Sequence, residues 1–157
     1  MFRVMIGPMG KGLQAKAVSE MILILEDDAD RIARFNGVLK EICPGIPIRF
    51  WRSAPRMVRE IGDCLSGACL ISLDHDLEPE PGSREDPGEG VEVTRHLATI
   101  RSTCPVIVHT SNTDRGRVMM SDLLEGGWKA RRVTPIGADW IETSWKRGVE
   151  FLLKPGL

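Results

Sequence analysis

Apolar residues recur along the chain in short blocks, and three of these blocks end abruptly in polar groups. Residues 22–25 run into Glu26, Asp27 and Asp28, residues 68–73 into Asp74, His75 and Asp76, and residues 105–108 into His109, Thr110, Ser111 and Asn112. Blocks this short, rich in aliphatic side chains, predict buried strands. Between them the period changes to that of a helix. Over 30–42, Ile32, Phe35, Val38, Leu39 and Ile42 fall on one stripe that Cys43-Pro44-Gly45 ends. A second strand is predicted over 46–51. Ser53 then caps a helix with Pro55 in its first turn and Met57, Val58, Ile61 and Leu65 facing inward. Residues 78–90, dense in proline, glycine and acids, predict a loop, and a helix follows from 91 to about 101. The pattern closes with a helix over 115–124 stopped by Gly126-Gly127, a weak strand over 129–133, and a helix over 140–153. The last presents Trp140, Ile141, Trp145, Val149 and Leu152 inward.

Strands that alternate with helices predict a parallel sheet covered on both faces, because a parallel pair needs a crossover and the crossover is usually helical. The fold class expected is α/β: five strands in a doubly wound, three-layer α/β/α sheet. Ligands in such sheets bind at the carboxyl ends of the strands, where the winding reverses, and the three polar clusters belong at that edge. A chain of 157 residues supports one domain with a real core, placed at 21–154. Residues 1–20 read as a loose extension, or as the product of a start codon assigned too early. Their glycines lack the spacing of a phosphate-binding loop.

Composition narrows the function classes. Lys and Arg number 21 against 22 Asp and Glu, a formal charge of −1, so no net basic field draws the protein to nucleic acid or anionic lipid. No apolar stretch approaches the roughly 20 residues that span a bilayer, which predicts a soluble, cytoplasmic protein with no membrane partner. Cys43, Cys64, Cys69 and Cys104 show no C-x-x-C spacing; buried thiols in a reducing compartment are expected, and structural zinc is not.

The candidate chemistry sits in the three clusters. Glu26, Asp27 and Asp74, with Asp76 two residues on, gather negative charge that a hard divalent cation would relieve, Mg2+ first and Mn2+ second. Taken alone, Glu26 to Asp28 also read as an acidic cap for the helix that follows. His75 and His109 each end a strand and are candidate acid and base groups, Asp74 a third catalytic candidate, with a structural hydrogen-bonding role as the alternative for each histidine. Thr110, Ser111 and Asn112 offer hydroxyl and amide groups to a phosphate, and the same residues also suit the start of a helix. His96 reads as structural, and Arg115 and Arg117 as solvated helix charges.

The order of these clusters resembles the receiver domain of two-component response regulators, from about Met21 to Val149. The resemblance implies a receiver (flavodoxin-like) fold. It also implies Mg2+ on acids matching Glu26 and Asp27, a phosphoacceptor matching Asp74, and a hydroxyl matching Thr110. The receiver lysine before a proline after the fifth strand is replaced here by Thr134 before Pro135. A closer resemblance is to the cyclic-phosphate processing receiver domain. It is carried by Leu73-Asp74-His75-Asp76-Leu77, by Gly88-Glu89-Gly90-Val91-Glu92-Val93 and by His109-Thr110-Ser111-Asn112. That family implies processing of cyclic phosphates or related phosphoesters, on a nucleotide or an RNA end. The residues themselves are compatible with that activity: the mechanism expected has a metal on Glu26, Asp27 and Asp74 and the Thr110, Ser111, Asn112 cluster binding the phosphate, while one histidine activates water and the other protonates the leaving oxygen. The alternatives are a signalling receiver that takes a phosphoryl group on Asp74, and a non-catalytic pseudo-receiver that binds a protein partner. Topology argues against a phosphatase of the haloacid dehalogenase type, since its nucleophilic aspartate ends the first strand of the core, whereas two strands precede Asp74 here.

Overall fold

The computed structural model describes residues 19–154. The expected extension lies outside the described residues, apart from Ser19 and Glu20. Five parallel strands form one sheet in the order β2-β1-β3-β4-β5: β1 is Met21–Leu25, β2 Ile48–Trp51, β3 Ala68–Leu73, β4 Val106–Val108 and β5 Ala130–Arg132. The chain steps outward from β1 to β2 and then returns to β3 on the other side, so the winding reverses between β1 and β3. Five helices complete the layers: α1 is Ala29–Ile42, α2 Ala54–Glu60, α3 Gly90–Ala98, α4 Thr113–Glu125 and α5 Lys146–Leu153. The doubly wound, three-layer α/β fold expected from the periodicity is the one found.

Alternation along the strands builds two cores. Leu23, Leu25, Ile71, Leu73, Val106 and Val108 face α2, α3 and α4, whereas Ile22, Ile24, Leu70 and Ile107 face α1 and the C-terminal helix. Asp28 caps α1 by accepting from the Arg31 N–H at 2.9 Å, Ser53 caps α2, and Asn112 caps α4 from the Arg115 N–H at 3.1 Å. At α3 the capping box is Glu89 with Glu92.

The differences from the periodicity are local. β2 starts at Ile48 rather than 46, since Pro47 has no N–H for the ladder and contributes only its carbonyl, to the Ile22 N–H at 2.9 Å. α2 ends at Glu60, and two 3₁₀ turns, Ile61–Asp63 and Leu65–Gly67, carry the chain to β3. α3 stops at Ala98 and α4 begins two residues early, at Thr113. The last helix is not α-helical throughout: Ile141–Trp145 is a π turn closed by Trp145 N–H to Trp140 O at 2.9 Å. The four cysteines are free thiols, part-buried rather than buried. No helix among the described residues is long and apolar enough to cross a membrane.

Candidate metal and phosphate site

Strand register assembles the site. Leu25 pairs with Leu73, and Leu73 with Val108, so the residues that follow them, Glu26, Asp74 and His109, stand side by side across three adjacent strands. The backbone continues the ladder through this row: the Asp74 N–H donates to Leu25 O at 3.1 Å and the His109 N–H to Leu73 O at 2.9 Å. Glu26 and His109 are 0% exposed and Asp74 is 4% exposed, so two carboxylates are held out of water beside one another. One ligand atom from each of the three residues lies within 4.8 Å of the others. The row falls at the winding reversal, on the sheet face that carries α1 and the π turn.

A one-way chain of donors fixes Glu26. The Trp145 indole N–H donates to Ser72 Oγ at 3.0 Å, and Ser72 Oγ lies 2.7 Å from His109 Nδ1. A hydroxyl that accepts from the indole has its own hydrogen left for Nδ1, which leaves the His109 Nε2–H to donate to Glu26 Oε2 at 3.1 Å. Glu26 Oε1 accepts from the Asp27 and Asp28 N–H groups at 3.1 and 3.0 Å. Burial alone would raise the Glu26 carboxyl; the hydrogen bond from His109, the Asp28 N–H and Arg31 outweigh it and hold the group below its ordinary range. Phe35 and Trp140 pack against the imidazole, with ring centroids at 5.2 and 5.9 Å, and keep it in place.

Asp74 has the opposite character. Its Oδ1 accepts from the His75 N–H at 2.7 Å, while the Arg31 guanidinium stands 3.7 Å from Oδ2. Burial, with the charge of Glu26 added, pushes its carboxyl up to about 7 against the pull of the His75 N–H and Arg31. Arg31 also stands 3.9 Å from Glu26 Oε2 and lies over the Trp140 ring at 5.6 Å. This guanidinium bridges the two carboxylates from the first turn of α1.

The remaining candidates divide. Asp28 takes the capping role, so the cap and the ligand readings of the acidic triplet belong to different residues. Asp27 turns aside, its Oδ2 accepting from the Glu78 N–H at 2.8 Å, and is not in the three-residue cluster. Asp76 is 65% exposed at its side chain and also lies outside the cluster. The two histidines do not converge. Asp74 follows Ser72 onto the α1 face, and His75 follows Leu73 onto the opposite one, where its Nε2 lies 3.8 Å from both Asp76 and Glu89. Its buried Nδ1 has no partner among the described residues. Thr110 is buried, its hydroxyl accepting from the Asn112 N–H at 3.2 Å; Ser111 is exposed, and Asn112 is engaged as a cap. Arg132 at the end of β5 braces this loop from behind, donating to the carbonyls of Thr110 and Asn112, each at 3.2 Å. Thr134 is exposed, and Arg115 and Arg117 are solvated.

The model for the cyclic-phosphate processing receiver domain matches residues 21–126. This chain belongs to that family. Comparison of the chain with solved structures gives the same fold at low identity. The phosphorylated cyanobacterial phytochrome response regulator RcpA is 18% identical, covers 88% of this chain and 96% of its own, and superposes with a TM-score of 0.63. The Mn2+-bound form of response regulator Rcp1 is 18% identical over 88% of this chain and 98% of its own, with a TM-score of 0.61. The receiver domain of Ssk1 from Saccharomyces cerevisiae, crystallised with the phosphotransfer protein Ypd1, is 15% identical over 87% and 93%, with a TM-score of 0.54. Comparison with curated proteins gives no match.

The site also contains residues that periodicity did not single out. Arg31 reads from the sequence as one more charge on an amphipathic helix, and Ser72 as a small residue within an apolar strand. A polar residue in the middle of a fully buried run was the available signal for Ser72. For Arg31 the signal was its place one turn after the acidic triplet.

Proposed function

We propose that this domain is a metal-dependent phosphoester-processing receiver, acting on cyclic phosphates or their linear relatives. The observation that carries the reading is the buried Glu26, Asp74 and His109 row, with ligand atoms within 4.8 Å of one another and a guanidinium as the neighbouring cation. The donor set fits a hard divalent ion of the Mg2+ or Mn2+ type: carboxylate oxygens from Glu26 and Asp74, with further positions open to water and a phosphate oxygen. Such an ion, when bound, supplies charge neutralisation at the phosphoryl group and acidifies a coordinated water.

The chain's own groups supply the rest. Asp74 Oδ2, bonded to no N–H and only near Arg31, is the open ligand oxygen, and Glu26 is held ready by its three donors. His109 has both ring nitrogens engaged, so its role is to orient Glu26 rather than to carry a proton. Arg31 binds a phosphate oxygen and takes the charge role of the lysine that Thr134 replaces. The hydroxyl of Thr110 and the exposed Ser111 face the same edge and bind the remaining oxygens. His75 is the imidazole with a free ring nitrogen and is the group left to carry a proton, from the opposite face of the sheet, where its Nε2 lies 3.8 Å from Asp76.

The deciding experiment is a screen of metal-supplemented protein against 2′,3′-cyclic and linear phosphoesters, with Asp74→Asn as the control. Turnover that needs metal, vanishes in Asp74→Asn and falls about 100- to 10,000-fold in His75→Gln is expected. A signalling receiver gives the opposite result: no turnover, and a mass gain confined to Asp74 after incubation with acetyl phosphate and Mg2+. A partner-binding pseudo-receiver gives neither, and no heat on titration with Mg2+ or Mn2+.

A further inference from the structure

Beside the metal and phosphate site lies a cavity of about 320 Å³ that the reading above does not use. It opens at the carboxyl end of β2, walled on one side by Arg49, Trp51, Arg52 and Arg56 and on the other by Glu80 and Glu85 of the loop after β3. Its size falls in the range of small-molecule pockets. We propose that it holds the base of a nucleotide whose phosphate would lie against Arg31 and the cation that Glu26 and Asp74 would hold, which makes the substrate class a nucleoside phosphate. For the phosphate end this rests on the proposed function; the base end stands on its own observations.

The chemistry of the walls selects a planar polar ring over a simple anion. Arg49 lies over the Trp51 ring at 4.4 Å, which leaves the outer face of a flat, delocalised cation for stacking. Arg49 and Arg56 share the Glu60 carboxylate, which also accepts from the Trp51 indole N–H at 2.8 Å, so both Glu60 oxygens are spent on fixing the wall. Arg52 donates to Asp27 O at 2.8 Å and stands 3.7 Å from Glu80, and its buried Nε–H has no partner among the described residues. Three guanidiniums face three carboxylates, Glu60, Glu80 and Glu85, so the cavity has no net charge to concentrate phosphate. It offers spare N–H donors, a free carboxylate acceptor and a stacking face, the combination that reads unstacked bases by their edges and π surface.

Position favours the same occupant. The Glu26 N–H donates to Trp51 O at 2.9 Å, and Arg52 grips the carbonyl of the residue after Glu26, so cavity and site share a wall. Adjacent strands lie about 4.8 Å apart, which puts the cavity one strand from Glu26 and two, about 10 Å, from Asp74. One nucleotide spans that distance.

The four tryptophans allow the two ends to be read separately. Trp51 lines the cavity, Trp140 stacks on His109 at the metal site, and Trp128, bonded to Leu97 O, reports only that the fold is intact. The indole N–H resonances of the ¹⁵N-labelled full chain are followed while the four ribonucleosides, Mg2+ with inorganic phosphate, and the nucleoside 3′-monophosphates with Mg2+ are added. At least one nucleoside is expected to move Trp51 and leave Trp140. Mg2+ with phosphate is expected to do the reverse, and the matching nucleotide to move both and bind at least tenfold tighter than either half. Arg49→Ala should weaken that nucleotide about tenfold or more without changing phosphate affinity. Arg56→Ala, at an exposed helical position, does the same with less risk to folding. The proposal is overturned if no nucleoside or nucleotide moves Trp51, if inorganic phosphate moves it, or if both variants keep full nucleotide affinity with Trp128 unshifted. Nucleosides moving Trp51 while Mg2+ and phosphate leave Trp140 still would uphold the cavity and sink the metal-site reading instead.

Discussion

Asp74 and Glu26 differ because hydrogen bonds reach them unequally. Glu26 is surrounded by donors, whereas Asp74 is buried with one N–H and a more distant guanidinium, and its carboxyl rises to about 7 from an ordinary 3.8. Between those two values the folded protein keeps a proton that the unfolded chain has lost. Its stability contribution is therefore complete below about pH 3.8 and is lost as pH climbs through 7, the reverse of a salt-bridged carboxylate. In metal-free buffer the melting temperature should fall as pH rises across that window. Asp74→Asn should flatten the dependence and stabilise the protein at pH 8, by no more than about 4 kcal/mol. A profile unchanged by Asp74→Asn would show that another group sets it. Ser72 carries the second expectation at this scale. Ser72→Ala strands the Trp145 indole N–H and His109 Nδ1 in a dry core, at about 1–3 kcal/mol for each orphaned group. Urea denaturation should register that loss, and metal affinity should weaken with it, since one of the two hydrogen bonds that orient His109 on Glu26 is gone.

At the scale of elements, α3 and the C-terminal helix make the site possible. Gly90 opens α3 directly against the end of β3: a Cβ there would lie 1.9 Å from Asp74 O, and the Gly90 N–H donates to His75 O at 3.0 Å. Gly90→Ala must push the helix start away from Asp74, so a loss of about 3 kcal/mol or more is expected in chemical denaturation. Gly37→Ala, where an added Cβ meets nothing within 4 Å, should cost nothing comparable and serves as the control. The π turn answers a different need. Residues five apart on an α-helix diverge by about 140°; the wider turn brings Trp140 and Trp145 together, one on His109 and the other on Ser72. The strands, the parallel sheet and the polar edge were legible in the sequence, because period and block length report burial directly. The π turn was not, since Trp140, Ile141 and Trp145 satisfy an α-helical stripe well enough to hide it. Arg31 was hidden for a related reason: a charge on a helix surface carries no mark of what the neighbouring strand ends bring to it. The pairing of the two histidines failed on alternation, which sends His75 and His109 to opposite faces once the register of Leu73 with Val108 is known.

For the molecule as a whole, the two buried carboxylates make folding and ligand binding one problem. In the metal-free protein Arg31 supplies the counter-charge, at 3.7 and 3.9 Å, while remaining 34% exposed at its side chain. A partly solvated guanidinium at those distances is a weak partner, and on the proposed reading a divalent ion held by Glu26 and Asp74 would displace it. The displaced group is then free to meet a phosphate oxygen, so cation and phosphate should bind cooperatively. An ion that binds only the folded state stabilises it by about 2.7 kcal/mol at a hundredfold excess over Kd, which for a domain of this size is roughly 5 to 10 °C in Tm. Arg31→Gln separates the two roles of the side chain. Without metal the variant should melt below the wild type, because the carboxylates lose their counter-charge. With saturating Mg2+ its gain in Tm should exceed that of the wild type, because nothing competes with the ion. Added phosphate should then raise the wild-type Tm further and leave the variant unmoved. Equal metal-induced gains in the two proteins would mean that Arg31 neither competes with the cation nor serves the phosphate, and that its approach to Glu26 and Asp74 is surface charge pairing alone.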